Sequence, residues 1–132
     1  MCAAPTWTSR GTLPRASRSS KAAPLSVGLD IVEIARIKKA GTPAFLKRVF
    51  SRSEIAYCQG KKSRWQHFAV RFAAKEAVYK ALNLEGVALR DISVARDADG
   101  RPSVVLKGKR MPSIALSLSH SDHYAAAVAV RS

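Results

Sequence analysis

The segment RFAAKEAVYKAL, residues 71–82, constrains the fold more than any other part of the chain. It contains four alanines and neither Gly nor Pro, a composition that predicts a helix. On an ideal helix Glu76 lies between Phe72 and Ala69, with Lys80 one turn further on. Burying a carboxylate is costly unless it is paired or holds a cation. Glu76 therefore needs a partner.

An exposed pair between Glu76 and Lys80 is the ordinary explanation, worth roughly a few tenths of a kcal/mol. The distribution of residues around the helix disfavours it. Arg71 and Lys75 cluster on a separate face. Apolar and small residues surround the Glu76 side: Phe68, Ala69, Phe72, Ala73, Ala77 and Tyr79. We therefore expect Glu76 to lie among buried residues and Lys80 to be buried beside it.

Length, charge and cysteine content limit the class of protein. The 132 residues are enough for one domain, and no apolar run is long enough to span a membrane. Cys2 and Cys58 form no disulfide framework, which fits a reducing compartment and predicts a cytoplasmic protein. The formal net charge of +14 favours acidic partners such as nucleic acid, anionic membranes, phosphorylated ligands or an acidic protein.

Residues 1–25 differ from the rest of the chain. They contain four basic residues, three prolines and no acidic residue, without the apolar centre of a secretory signal. We interpret them as a disordered tail or the product of a start codon set too far upstream. An organellar transit peptide is the alternative, and it would place the protein in an organelle. The folded domain is predicted at residues 26–132.

The first element of this domain is a strand in LSVGLDIVEI. Alternation puts Val27, Leu29 and Ile31 on one face and Asp30 on the other. Asp is disfavoured in strands, so Asp30 also needs an explanation. The Asp-x-x-Glu spacing of DIVE suits a capping box for the next helix. The alternative is that Asp30 and Glu76 converge from two elements, a donor set that suits Mg²⁺ with water and substrate phosphates in its remaining positions.

The following segments predict an α+β fold, with a long helix packed on a mainly antiparallel sheet. Three short helices are expected at residues 34–39, 43–50 and 53–59, the last capped by Ser51 or Ser53. The long helix is expected at 65–82. Four strands then form two strand-turn-strand units, in DISVAR-DADGRP-SVVLKG and in SIALSLS-HSDH-YAAAVAV.

Other candidate sites are weaker. Ser, His and Asp in SLSHSDH are too close in sequence for a catalytic triad. Cys58 with His67 suggests a thiol nucleophile, but a buried helical cysteine is the more common case. The chain contains no zinc-binding spacing, P-loop or dinucleotide fingerprint.

Five segments, taken together and in this order, resemble the holo-(acyl-carrier-protein) synthases, the small trimeric group of 4′-phosphopantetheinyl transferases. They are VGLDIVEIARI, FLKRVFSRSEIAYC, RFAAKEAVYKAL, DISVARDADGRPSVVLKG and SIALSLSHSDHYAAAVAV. The resemblance implies a Mg²⁺-dependent transfer of phosphopantetheine from coenzyme A to a serine of an apo acyl carrier protein. Adenosine 3′,5′-bisphosphate would be released, and the reaction would support fatty acid biosynthesis.

The resemblance also implies residue roles. Asp30 and Glu76 match the Mg²⁺ carboxylates, and Lys80 matches a lysine near the diphosphate that stabilises charge or moves a proton. Four residues match positions around the coenzyme A phosphates, in a site shared between subunits of a homotrimer: Arg71, Lys75, His120 and Ser121. Four match the surface that binds the acidic carrier helix: Arg36, Lys47, Arg48 and Arg52.

Two segments depart from the family pattern. Asn83 follows KAL where relatives usually have Gly, and Asn also suits a left-handed helix end. The segment GKRMPS, residues 108–113, is shorter than the region where relatives usually carry a short helix. Two rival functions are left open: a nucleic-acid-binding module, which would leave Asp30 and Glu76 unexplained, and an inactive scaffold that keeps the fold.

Overall fold

A computed structural model of the protein describes residues 25–83 and 86–132. The interpretation of the N-terminal tail thus falls almost wholly outside the described residues. The described chain is α+β, as predicted. None of its helices has both the length and the apolar character that crossing a bilayer requires.

A strand, four helices and five further strands follow one another along the chain. The elements are β1 (Ser26–Glu33), α1 (Ile34–Ala40), α2 (Pro43–Val49), α3 (Arg52–Gln59), α4 (Arg64–Leu82), a 3₁₀ turn (Leu89–Asp91), β2 (Ile92–Arg96), β3 (Pro102–Leu106), β4 (Lys109–Arg110), β5 (Ile114–His120) and β6 (Tyr124–Arg131).

The strands form two antiparallel sheets rather than one. One has the order β1-β6-β5 and the other the order β2-β3-β4. Five strands follow the helices in the described chain where four were predicted, and the additional one is β4. Lys107 and Gly108 both have positive φ, 49° and 81°, and they join β3 to β4 in a tight hairpin. In this chain the GKRMPS segment thus contributes a two-residue strand, and Met111 packs against the core.

Helix ends follow the capping residues that the sequence offers. Ser51 and Glu54 form a capping box at the start of α3. Asn83 ends α4 in the left-handed conformation, with φ 47°, and its N–H donates to the Tyr79 carbonyl at 3.0 Å. The capping interpretation of Asp30 is wrong, because β1 continues to Glu33 and Asp30 pairs with Ala127 inside the sheet.

The centre of the fold is the contact between α4 and the β1-β6-β5 sheet. Small side chains line the helix surface that meets β1, and Ala73, Ala77 and Ala81 are at most 1% exposed. The two backbones come so close that a Cβ on Gly28 would lie 1.8 Å from the Ala77 carbonyl oxygen. A glycine is required at position 28 for this reason, not for its φ angle.

We predict that Gly28→Ala destabilises the protein by about 2 kcal/mol or more, because the added methyl group must push α4 away from β1. Thermal or urea unfolding measures the change. Gly60→Ala is the matched control. Gly60 has helical φ and ψ, and its added Cβ would meet nothing closer than 3.5 Å. That variant should be neutral or stabilised by up to about 1 kcal/mol. Equal stability for both variants would contradict the close-contact account.

Candidate active site

The contact between α4 and β1 brings Asp30, Glu76 and Lys80 together. Lys80 Nζ lies 3.2 Å from Asp30 Oδ1 and donates to the Leu29 carbonyl at 3.0 Å. Glu76 is one helical turn before Lys80 and is half-buried. Burial raises the pKa of Glu76, the negative charge of Asp30 raises it further, and Lys80 opposes both effects. The two carboxylates are thus close enough to repel each other.

Lys80 departs from the expectation in one respect. Its side chain is 52% exposed, whereas that of Asp30 is 17% exposed. The expectation that Lys80 is buried is therefore wrong, because α4 packs on β1 through its alanines and leaves Lys80 at the edge of the contact. An exposed ammonium beside two carboxylates is free to reach a ligand.

The chemistry of these donors fits Mg²⁺. Within residues 25–83 and 86–132 no group of three or more His, Cys, Asp or Glu side chains is placed to hold a metal. Two carboxylates suit an ion that keeps water and takes substrate phosphates as its other ligands. The raised pKa of Glu76 is a second argument, because a cation between the carboxylates would relieve their repulsion.

Lys75, the residue before Glu76, is not in this site. It is 0% exposed, its Nζ lies 2.5 Å from Glu54 Oε1, and it also donates to the carbonyls of Leu89 and Ile92. Burial lowers the pKa of Lys75, and the charge of Glu54 opposes this effect. All three ammonium protons have acceptors inside the chain. These contacts give Lys75 a structural role in the described chain, and its place around coenzyme A stays a prediction of the resemblance.

Glu54 is the buried partner of Lys75 and connects several elements. It is 3% exposed and accepts from the Ser51 N–H and hydroxyl on one oxygen, at 3.0 and 3.1 Å. Its other oxygen accepts from the Val94 N–H at 3.2 Å. This carboxylate thereby ties the start of α3 to α4 and to β2.

Arg71, one turn before Lys75, is also buried, at 6% exposure. Its guanidinium lies 4.3 Å from the centre of the Tyr57 ring, and its Nε has no hydrogen-bond partner among the described residues. Glu54 is the one buried carboxylate of the described chain, whereas two cations, Arg71 and Lys75, are buried. The surplus positive charge favours binding of an anion beside Arg71.

A cavity of about 140 Å³ lies on this side of α4. Its lining includes four basic side chains and no acidic one: His67, Arg71, Arg96 and His120. His67 lies one turn before Arg71 on α4, Arg96 ends β2, and His120 ends β5. Three elements that are distant in sequence thus form one cavity lined by basic side chains.

Only Arg71 and His120 of this set were predicted from the sequence. His67 could have been found, because residues four apart share a helix face. No pattern in the sequence around Arg96 could predict that it lines this cavity, because its position depends on how β2 packs near α4. The predicted Ser121 does not line the cavity. Its hydroxyl accepts from the backbone N–H groups of His123 and Tyr124, at 3.4 and 3.2 Å, and stabilises the turn between β5 and β6.

The four predicted docking residues are all exposed. Lys47 and Arg52 line one groove of about 550 Å³ together with Arg90, which was not predicted. Arg36 lies on α1 and Arg48 on α2.

Cys58, which was considered as a thiol nucleophile, is fully buried, and burial raises the pKa of its thiol to about 11, as expected for an inert core cysteine.

Comparison with known proteins identifies the family of this chain. The profile described as the 4′-phosphopantetheinyl transferase superfamily matches residues 26–129. A holo-[acyl-carrier-protein] synthase of Clostridium kluyveri is 45% identical over 116 residues, covering 79% of this chain and 87% of the relative. That of Protochlamydia amoebophila is 42% identical over 118 residues, covering 80% and 96%.

Solved structures are similar to the whole described fold. The holo-(acyl-carrier-protein) synthase of Bacillus anthracis, in complex with CoA (3′,5′-ADP), has a TM-score of 0.70 at 33% identity, over 80% of this chain and 94% of that one. The Helicobacter pylori synthase in complex with coenzyme A has a TM-score of 0.69 at 35% identity, over 80% and 99%. The chain therefore belongs to the 4′-phosphopantetheinyl transferase superfamily, in its group of holo-(acyl-carrier-protein) synthases.

Proposed function

We propose that this protein transfers 4′-phosphopantetheine from coenzyme A to a serine of an apo acyl carrier protein, in support of fatty acid biosynthesis. One observation carries the proposal. Helix α4 and strand β1 together present a carboxylate pair with Lys80 beside it, and another side of α4 lines a cationic cavity. The first suits the reacting diphosphate with a metal ion, and the second suits a further phosphate of the same co-substrate.

Asp30 and Glu76 are the residues that would hold Mg²⁺. When bound, this ion supplies neutralisation of charge on the diphosphate oxygens, which is the main requirement of phosphoryl transfer. The protein holds the two carboxylates in place through the packing of Gly28 against Ala77.

The reaction exchanges one phosphorus–oxygen bond for another. The carrier serine oxygen bonds to the phosphorus that bears pantetheine, and the bond from that phosphorus to the bridging oxygen breaks. The serine loses its proton, and adenosine 3′,5′-bisphosphate leaves with the bridging oxygen. Lys80 is placed to stabilise the charge that develops on the diphosphate or to assist the proton transfer, and these two roles are left open.

We propose that turnover depends on Mg²⁺ held by Asp30 and Glu76, and variants of these two residues test this. Glu76→Gln should lower the transfer rate by about two orders of magnitude or more, because it removes a charge that balances the cation while keeping the side-chain shape. Asp30→Asn should act similarly. The measurement is the transfer rate against Mg²⁺ concentration for both variants and the unmodified protein. Wild-type rates at low Mg²⁺ in both variants would show that the metal assignment is wrong.

Glu76→Gln should not destabilise the folded protein. Folding raises the pKa of Glu76, so the protonated carboxyl stabilises the folded state relative to the unfolded one. This contribution to the free energy of unfolding is fully present below the ordinary pKa of a glutamate and is lost as pH rises through the raised pKa of the folded protein. Without metal at pH 7, Glu76→Gln should therefore melt at the same temperature or higher. Asp99→Asn, in the exposed turn between β2 and β3, is the control and should change neither rate nor stability.

We propose that the complete site forms between subunits of a homotrimer. Asp30 lies on β1 and His120 on β5, which are the two outer strands of the β1-β6-β5 sheet. Around α4, residues 71 and 76 are also about 140° apart. A cyclic arrangement joins one edge of a subunit to the other edge of its neighbour. The face of β1 opposite Asp30 supports association, since Val27, Leu29 and Ile31 are 60%, 64% and 67% exposed.

Mixing two inactive variants tests the shared site. We expect light scattering to give three times the chain mass of 14.3 kDa. Co-expressed Glu76→Gln and Arg71→Met subunits should then recover about a quarter of the wild-type sites, because each mixed trimer contains one intact pair. Arg71→Met keeps most of the side-chain volume. A mixture no more active than the mean of its two parents, or an active monomer, would place the whole site in one chain.

We propose that an acidic acyl carrier protein binds to the basic surface formed by α1, α2 and α3. Arg36, Arg48 and the groove of Lys47, Arg52 and Arg90 all present exposed cations there. Exposed charges of this kind raise the association rate of an acidic partner and are screened by salt.

A further inference from the structure

We propose that His67 and Arg96 bind the 3′-phosphate of coenzyme A together with Arg71 and His120, and that proton uptake by the cavity accompanies this binding. The inference rests on the proposed function, because it assigns coenzyme A to this protein. It adds two residues to the binding site and a property, pH-dependent affinity, that the bare identity of the co-substrate does not require.

The geometry of the cavity carries the first step. His67 and Arg71 project from consecutive turns of α4, and Arg96 and His120 come from the ends of β2 and β5. Arg71 is 94% removed from solvent, yet its Nε has no acceptor among the described residues. A buried donor without an acceptor costs stability. A ligand oxygen in the cavity would satisfy it.

The identity of the anion follows from the chemistry of coenzyme A. Its 3′-phosphate is the only phosphate monoester, whereas the diphosphate is esterified at both ends. A monoester takes its second charge with a pKa of about 6 and offers three acceptor oxygens. A compact cavity with four cationic or ionisable groups matches such a group. The diphosphate is then left for Asp30, Glu76 and Lys80.

His67 is the group that couples binding to protons. The basic groups that act on it come from every element around it: Lys61 from the segment before α4, Arg71 from α4, Arg96 from β2 and His120 from β5. Its ring also meets Tyr57 of α3 edge-on, with 5.8 Å between centres. Burial lowers the pKa of His67 and these cations lower it further, so the free cavity disfavours its charged form.

A bound phosphate dianion reverses this balance, because its charge favours the protonated imidazole. The complex then holds His67 protonated at a pH where the free protein does not. Above about pH 7, where the monoester is already a dianion, affinity for it should therefore fall as pH rises through the range in which the complex loses this proton. A guanidinium carries its charge throughout this range, so the contribution of Arg96 should be about the same at pH 7 and at pH 8.5.

The test compares coenzyme A with dephospho-coenzyme A, which lacks only the 3′-phosphate, by calorimetry without carrier protein. The unmodified protein should prefer coenzyme A and take up protons on binding it, as measured in buffers of different ionisation enthalpy. His67→Gln should reduce that preference about tenfold at pH 7, where the 3′-phosphate is already mostly a dianion, and by less than about threefold at pH 8.5. Arg96→Gln should reduce it about equally at both pH values.

Controls separate this inference from the proposed function. His123→Gln, an exposed histidine outside the cavity, should leave the preference and its pH dependence unchanged. Equal losses of both ligands in His67→Gln, or unchanged proton uptake, would overturn the inference even if transfer activity is present. Inorganic phosphate binding without a preference for coenzyme A would also overturn it. Absence of transfer with the pH-dependent preference intact would instead contradict only the proposed function.

Discussion

The close contact between α4 and β1 is the constraint on which the site depends. A glycine on the strand and alanines on the helix let two backbones approach until there is no room for a Cβ. Ser26 Oγ adds a hydrogen bond to the Ala81 carbonyl at the other end of the same contact. Two residues after Gly28 the strand presents Asp30, and one residue before Ala77 the helix presents Glu76. The close packing of the two backbones thus holds the carboxylates of Asp30 and Glu76 near enough to repel each other.

A second buried interaction fixes the other side of α4. The Glu54–Lys75 pair is out of water, and desolvation of two charges offsets much of their attraction. The main contribution of the pair is to position other elements, because Glu54 also accepts hydrogen bonds from Ser51 and from the Val94 N–H. The pair holds α3, α4 and β2 in the positions that enclose Arg71. Helix α4 therefore carries, within one turn, a buried Lys75 whose charge is paired with Glu54 and a buried Arg71 that has no carboxylate partner among the described residues.

Local patterns predicted those features that depend on a single element. Alternation in β1 placed Asp30 on the face opposite Val27, Leu29 and Ile31, and the composition of residues 71–82 predicted the long helix. Asn83 ends that helix in the left-handed conformation that its residue type favours. These features depend on neighbouring residues, which the sequence displays directly.

Features that depend on distant partners could not be predicted in this way. The residues around α4 predicted a buried Lys80 and placed Lys75 on a charged face, whereas Lys75 is the buried lysine, paired with Glu54 on α3, and Lys80 is exposed. Arg96 joins His67 only because β2 ends near α4. The hairpin at Lys107 and Gly108 carries a non-glycine residue at positive φ, which no pattern in SVVLKG indicated.

The central claim is that α4 and β1 form the catalytic site of a phosphopantetheinyl transferase. The most direct measurement is the mass of an apo acyl carrier protein after incubation with this protein, coenzyme A and Mg²⁺. The account predicts a gain of one phosphopantetheine on the carrier, and no gain when Mg²⁺ is removed by a chelator. An unchanged carrier mass, together with tight RNA binding that does not depend on sequence, would contradict the account and favour a nucleic-acid-binding function for this basic chain.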